Sequence, residues 1–412
     1  MTSDKPAALD RDQCGIRTGE ISILMATRGR PDMLAEEIET LKQNTVNKDK
    51  VKLWIYLDDD DQIMHDAIAA KRFPDPGFPI HWHVGPRPGA LGLCHQALWN
   101  LSGRQSEIYT ISVDDVRFET HGWDELVRRA FVDCRDGVLL AFAHDPNAPQ
   151  ATFPFIGWGF LLTLGYEKIF PGIFIYWFDD KWIEQIAVMA GRCVKIPVTM
   201  NPIGDKGLTQ RMRCVPFWTR FCQLTVVERK DSAQKLIDAM YAKDPAGHER
   251  AMTGLQTAFA KITKDETEAF SDLYCVFQEE RHTALKPEER NLFYPLYLKQ
   301  EANAVIRLLT HAQKFVNEKQ FGEALKFLEA ADMADMKVRA AQDMKVICLR
   351  ALGKNAEADT VEREKFAAWP EQNSLRRAFR FLGMVANEGR RMIAGLTSKP
   401  TPMPDKKQAR TS

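Results

Sequence analysis

Aspartates cluster at three places in this chain: Asp58 to Asp61, Asp114 with Asp115, and Asp179 with Asp180. The first two clusters each close an apolar run, ValLysLeuTrpIleTyrLeu and IleTyrThrIleSerVal, and ThrArgGlyArg closes a third, IleSerIleLeuMetAla. In an open parallel sheet the ligand crevice lies beyond the carboxyl ends of the strands, so polar groups placed just after strands converge on one mouth. Acceptors there suit the base and ribose of a nucleoside diphosphate-sugar, and cations or a bound metal suit its diphosphate. A run of four aspartates alone reads as a solvated turn, and an AspAsp after a strand as a turn or helix cap. Their shared order along the first half of the chain is what favours a site.

The elements that must position these residues alternate. A strand from Ile21 is followed by a helix in which Leu34, Ile38 and Leu41 share a face and Pro31 suits the first turn. A second strand runs into Asp58, and a short helix spans Met64 to Lys71. A third strand, IleHisTrpHisVal, precedes a helix from about Leu93 to Leu101, and a fourth ends on Asp114 and Asp115. Strand and helix in alternation predict an α/β domain with a mostly parallel, Rossmann-like sheet covered on both faces. From about Phe217 to Ala394 the pattern is helical, with few Gly or Pro to break it, which predicts a separate all-α region.

The segments SerIleLeuMetAlaThrArgGlyArgPro, TyrLeuAspAsp and IleSerValAspAspValArgPheGluThrHisGlyTrpAspGlu resemble the nucleotide-binding half of GT-A-fold, family-two-like glycosyltransferases, over residues 20–225. The resemblance implies that Thr27 and Arg28 border the nucleotide, that Asp58, with Asp59 in reserve, accepts from the base, and that Asp114 meets the ribose. It also implies that Asp115, with Asp114, binds a divalent metal, Mg or Mn, bridging the diphosphate. The third position of the metal motif is Val116, and no histidine occurs between His144 and His248; Asn201, Asp205 or water stand in as further ligands. PheProPheIleGlyTrpGlyPheLeuLeuThrLeuGlyTyr and the segment around AspAspLysTrpIle resemble the acceptor half of the same fold. There a carboxylate before a helix takes the acceptor proton as the sugar is displaced with inversion; Asp180 matches best, with Asp179 as the alternative. Both could equally cap the next helix.

Trp158, between Gly157 and Gly159, is either an acceptor-stacking platform or a core aromatic. Arg87 and Gly92 lie on the loop after the third strand, where either could approach phosphate. His81 and His83 share a strand face but lack a third ligand nearby, so a strand pair is the better reading. GlyProArgProGlyAlaLeuGly has the spacing of neither known phosphate-binding glycine loop.

Residues 301–368 resemble tetratricopeptide-type helix hairpins, with Ala324 and Ala358 where helices approach closely. The expected organisation is a flexible stretch 1–19, a catalytic domain 20–225, a helical extension 226–300, hairpins 301–369, a basic amphipathic helix 370–396 and a disordered tail 397–412. The helical region is a candidate surface for a protein partner. Residues 375–396 place five arginines against Glu388 among apolar side chains, a candidate for peripheral contact with an anionic membrane at its inner face; a covering helix over the hairpins is the rival reading.

With 412 residues, 45% hydrophobic and 27% charged, the chain has the composition of a globular protein of more than one domain. A formal net charge of +0 removes any bulk electrostatic case for nucleic acid. Scattered cysteines without a CxxC pair fit reduced thiols and a cytoplasmic address. The function expected is glycosyl transfer from a nucleotide-sugar donor to a glycan, lipid-linked or protein acceptor. Its rivals are an inactive binding module on an interaction protein, and a sugar nucleotidyltransferase, whose glycine- and lysine-rich signature ThrArgGlyArgPro does not provide.

Overall fold

The computed structural model describes residues 11–174, 178–203, 215–277, 287–334 and 336–368. Asp205 and the basic segment 375–396 lie outside them. The elements of the first half, in chain order, are β1 (Arg17–Thr27), α1 (Pro31–Asn44), β2 (Val51–Asp58), α2 (Gln62–Ala69), β3 (Ile80–Gly85), α3 (Leu91–Leu101), β4 (Ser106–Val113), β5 (Val116–Phe118) and α4 (Trp123–Phe131). They continue with β6 (Leu140–His144), β7 (Pro154–Gly157), α5 (Trp158–Leu164), α6 (Tyr166–Ile169), α7 (Asp179–Met189) and β8 (Cys193–Pro202). The strands form one sheet in the order β3-β2-β1-β4-β7-β6-β8-β5.

Its first four strands are parallel, as the alternating sequence predicts, with Met25 level with Ile55 on one side and Ser112 on the other. β7 then enters antiparallel to both β4 and β6, β8 returns parallel to β6, and β5 closes the edge antiparallel to β8. One face of β1 and β2, bearing Ile21, Ile23, Met25, Leu53, Ile55 and Leu57, is sealed by Leu34, Ile38 and Leu41 of α1, Met64 of α2 and Trp123, Val127 and Phe131 of α4. α3 packs across β1 and β2 outside that cluster. Burying this apolar set, at about 25 cal/mol per Å², fixes the register that brings the carboxyl ends of β1, β2 and β4 level.

After β8 the described chain is helical: α8 (Val215–Leu224), α9 (Val226–Met240), α10 (Pro245–Phe277), α11 (Pro287–Asn317), α12 (Phe321–Asp332), α13 (Arg339–Ala351) and α14 (Asn355–Ala368). The fold class is therefore an α/β domain with a mixed eight-stranded sheet followed by an all-α region. By internal contacts the chain separates into a unit of Met1–Lys314 with Lys326–Lys337 and a second of Phe315–Leu325 with Val338–Ser412. In the second unit α13 and α14 pack as a hairpin, with Ala358 fully buried and Lys365 Nζ 2.7 Å from Asp343 Oδ1. Among the described residues no helix is long and apolar enough to cross a membrane.

Candidate active site

The mouth is built by the turn between β1 and α1. Gly29 has φ of 66°, a left-handed conformation that costs glycine little, and nothing lies near the position of a Cβ there, so the demand is on the backbone alone. Its amide donates to Asp61 Oδ2 at 2.7 Å, which pins the turn to β2's end, and Asp61 Oδ1 also caps α2 by accepting from the Met64 amide at 3.3 Å. The two arginines flanking Gly29 then reach different acids. Arg28 Nη1 donates to Asp58 Oδ2 at 2.8 Å, and its Nη2 to Asp60 Oδ2 at 3.2 Å. Arg30 Nε donates to Asp114 Oδ2 at 3.3 Å, its Nη2 to Asp114 Oδ1, and its Nη1 to Asp115 Oδ2 at 3.0 Å.

The four aspartates after β2 thus separate by role. Asp58 is buried, with Arg87 Nε 3.9 Å away; Asp59 and Asp60 are exposed; Asp61 is a cap. Burial holds the Asp58 carboxyl above its ordinary range against the pull of Arg28. Asp114 is fully buried and also accepts from Thr27 Oγ1 at 2.7 Å and from the Arg28 amide at 3.4 Å. Burial pushes its carboxyl up to about 6, opposed by Arg30 and Thr27. Beneath it lies Glu37 of α1, fully buried, accepting from Ser112 Oγ at 2.9 Å. Burial raises the Glu37 carboxyl well above the usual carboxylate range, and the Asp114 and Asp115 charges add to the shift.

α3 joins this half to the second carboxylate pair. His95 Nε2 donates to the Ser112 carbonyl at 3.1 Å, the buried Cys94 lies within the field of Asp58 and Arg87, and Gly92 faces Asp179. A Cβ on Gly92 would stand 3.6 Å from Asp179 Oδ2. Asp179 opens α7 after Phe178, whose φ is 74°. Its Oδ1 is buried and accepts no hydrogen bond from the described residues, so burial, then the adjacent Asp180, lifts its carboxyl well above the ordinary range. Asp180 follows, with Glu184 within its field one turn on; burial raises its carboxyl too, offset by backbone amides and by Gln150.

The structure therefore gathers Thr27, Arg28, Asp58, Arg87, Asp114 and Asp115 at the strand ends, with Gly92 and Asp179 on the neighbouring elements. Trp158 is not among them: its ring is 1% exposed, in the core position that the sequence also allows. A Cβ on Gly157 would stand 2.2 Å from the Gly137 carbonyl oxygen, and one on Gly159 1.9 Å from that of Asp136, so the two glycines serve close backbone approach. His81 stacks on Trp54 at 4.0 Å between ring centroids, and His83 meets Tyr56 edge-on, as expected of a strand pair. Arg30, Asp60 and Glu37 went unassigned from sequence. A charge at position 37, on the apolar stripe of Leu34, Ile38 and Leu41, was the available signal for one of them.

The family resemblance assigns Mg or Mn to Asp115 and Asp114. The described residues, which do not include Asp205, do not by themselves fit a cation held by the protein. Arg30 already occupies both oxygens of Asp114 and Oδ2 of Asp115, Val116 is fully buried in the core, and Asn201, whose Nδ2 donates to Glu119 Oε1 at 2.9 Å, has only its neutral amide oxygen to offer. Among the described residues no three His, Cys, Asp or Glu side chains gather to hold a metal ion.

No protein-family model matches the sequence, and no curated protein matches it. Solved structures show partial similarity. The mannosyltransferase PcManGT from Pyrobaculum calidifontis, in complex with GDP-Man and Mn2+, aligns at 13% identity and a TM-score of 0.37, over 74% of this chain and 90% of that one. S. aureus TarS 1-349 in complex with UDP aligns at 11% identity and a TM-score of 0.40, over 86% and 93% of the two chains. A longer S. aureus TarS structure gives 11% identity and a TM-score of 0.36, over 84% and 55%.

Proposed function

We propose that this protein is a glycosyltransferase that moves a sugar from a nucleoside diphosphate donor to an acceptor hydroxyl. The observation that carries the reading is the juxtaposition of two charge systems on α3's flanks. Arginines and aspartates lie at the ends of β1, β2 and β4, and a carboxylate with a raised pKa abuts Gly92. Asp58 and Asp114 supply acceptors for base and ribose, while Arg28, Arg30 and Arg87 supply cations for the diphosphate.

Asp179 is the general base in this reading, in preference to Asp180, because its Oδ2 lies against Gly92 at the start of α3, whereas backbone amides and Gln150 already act on Asp180. The acceptor oxygen attacks the anomeric carbon, its proton passes to Asp179, and the carbon–oxygen bond to the diphosphate breaks with the electron pair leaving on the diphosphate. One displacement of this kind inverts the anomeric centre. A carboxylate lifted by burial is a stronger base than a solvated one, and so better matched to a hydroxyl proton near neutrality. The arginines stabilise the leaving diphosphate as its charge develops.

The test is a donor panel of UDP-, GDP- and dTDP-sugars presented to the full chain, followed by thermal shift and by release of nucleotide. A shift with at least one nucleotide, and release of it with the sugar transferred to an acceptor or to water, is expected. No shift and no release across the whole panel would remove the reading.

A further inference from the structure

We propose that Arg30, and not a divalent cation, supplies the positive charge that meets the donor diphosphate at the Asp114–Asp115 end of the mouth. This deepens the glycosyltransferase reading and rests on it. In the free protein the guanidinium is stored on two carboxylates, engaging both oxygens of Asp114 and Oδ2 of Asp115. A cation entering here would compete for those oxygens and leave Arg30, whose side chain is 32% exposed, without its anions. Among the described residues it would gain little else: Val116, at the motif's third position, is in the core, and Asn201, whose Nδ2 donates to Glu119, has only a neutral carbonyl oxygen to offer.

Arg30 has the simpler exchange. A diphosphate offers pairs of oxygens for the two-pronged pairing that the guanidinium now makes with Asp114, so turning from one to the other keeps its hydrogen bonds. Asp114 is not stranded by the move, because the Thr27 hydroxyl and the Arg28 amide still donate to it. Asp59 and Asp60 are exposed, so solvent and salt screen their repulsion of an incoming anion.

The experiment is calorimetric titration of UDP, GDP and dTDP into the full chain, in EDTA and in Mn2+, for the wild type and Arg30→Met. It is paired with electron paramagnetic resonance of Mn2+ added to each protein alone. The wild type is expected to bind one of these nucleotides equally in EDTA and in Mn2+, and to leave free Mn2+ unbound. Arg30→Met should lose about 10- to 100-fold in EDTA, the range expected for hydrogen bonds to a charged group, and its free form should bind Mn2+ through the vacated carboxylates. Should Arg30→Met fail to fold, Arg30→Lys keeps the charge but not the fork, and an intermediate loss in EDTA is expected. Wild-type binding that requires Mn2+, or a methionine variant that binds in EDTA as the wild type does, would overturn the inference and leave the glycosyltransferase reading standing. No nucleotide bound under either condition would sink both.

Discussion

Asp179 Oδ2 lies at the first turn of α3, 3.6 Å from where a Cβ of Gly92 would stand. In the proposed glycosyl transfer, that placement is what favours Asp179 over its neighbour Asp180 as the base.

Asp179→Asn should lower kcat by about 10²- to 10⁴-fold with donor affinity unchanged, since a general base acts in the transition state. The carboxylate must be ionised to act, so wild-type kcat/KM should fall with acidity through a pKa lying above the usual carboxylate range. That limb should vanish in the asparagine variant. Steady-state kinetics across pH, with Asp180→Asn measured alongside, checks it; a larger loss at Asp180 would move the base by one residue.

Asp58→Asn should weaken nucleotide binding by about 10- to 100-fold, the range for loss of a hydrogen bond to a charged acceptor, with kcat little altered at saturation. Asp58 is held in place by Arg28 at 2.8 Å, so the variant keeps the shape of the mouth and loses the charge. Titration calorimetry with UDP and GDP measures it, and equal affinity in both proteins would exclude Asp58 from donor recognition.

Glu37→Gln should change stability little at pH 5 and become progressively favourable as pH rises. The buried carboxyl has a folded-state pKa well above its value of about 4.3 in the unfolded chain, so the folded state keeps a proton that the unfolded state releases. Stability from this group is complete below the unfolded pKa and is lost as pH rises toward the folded one, by up to about 1.4 kcal/mol per pH unit. The amide removes that slope. Urea unfolding of both proteins at pH 5, 6.5 and 8 gives the comparison, and parallel pH profiles would show that Glu37 is ionised in the fold.

Gly159→Ala should cost about 3 kcal/mol or more, because its Cβ would fall 1.9 Å from a backbone oxygen that no side-chain rotation can relieve. Gly254→Ala, on α10 with nothing within 4 Å of the new Cβ, should instead gain roughly 0.5 to 1 kcal/mol from helix propensity. Denaturant midpoints of the two variants should therefore move in opposite directions.

The first four strands and their helices are legible because each apolar run is bounded by residues that end it: ThrArgGlyArgPro after β1, the aspartates after β2 and β4. The second half of the sheet is not. β7 inserts antiparallel between β4 and β6, a choice made by pairing across distant segments that local periodicity does not record. The site divides in the same way. Asp58 and Asp114 follow from the rule that strand ends line the crevice, but Arg30 gripping Asp114 is a contact between residues separated by α1, β2, α2, β3, α3 and β4. Trp158 shows the reverse problem: its sequence allows a stacking platform or a core aromatic, and the flanking glycines, which could serve either, are there because the backbone of Asp136 and Gly137 passes too close for any side chain.

The turn that carries Arg28 and Arg30 is a tie bar across three strand ends, anchored at its centre by the Gly29 amide on Asp61. Arginines two residues apart on such a turn do not relax independently. A fragment that engages only Arg28 must carry the whole cost of reshaping the turn, and so must one that engages only Arg30. A ligand spanning both carries that cost once. In the proposed donor site, the free energies of nucleoside monophosphate and inorganic phosphate binding should therefore not sum to that of the intact diphosphate, and by thermodynamic reciprocity each fragment should sharpen the affinity for the other by the same factor.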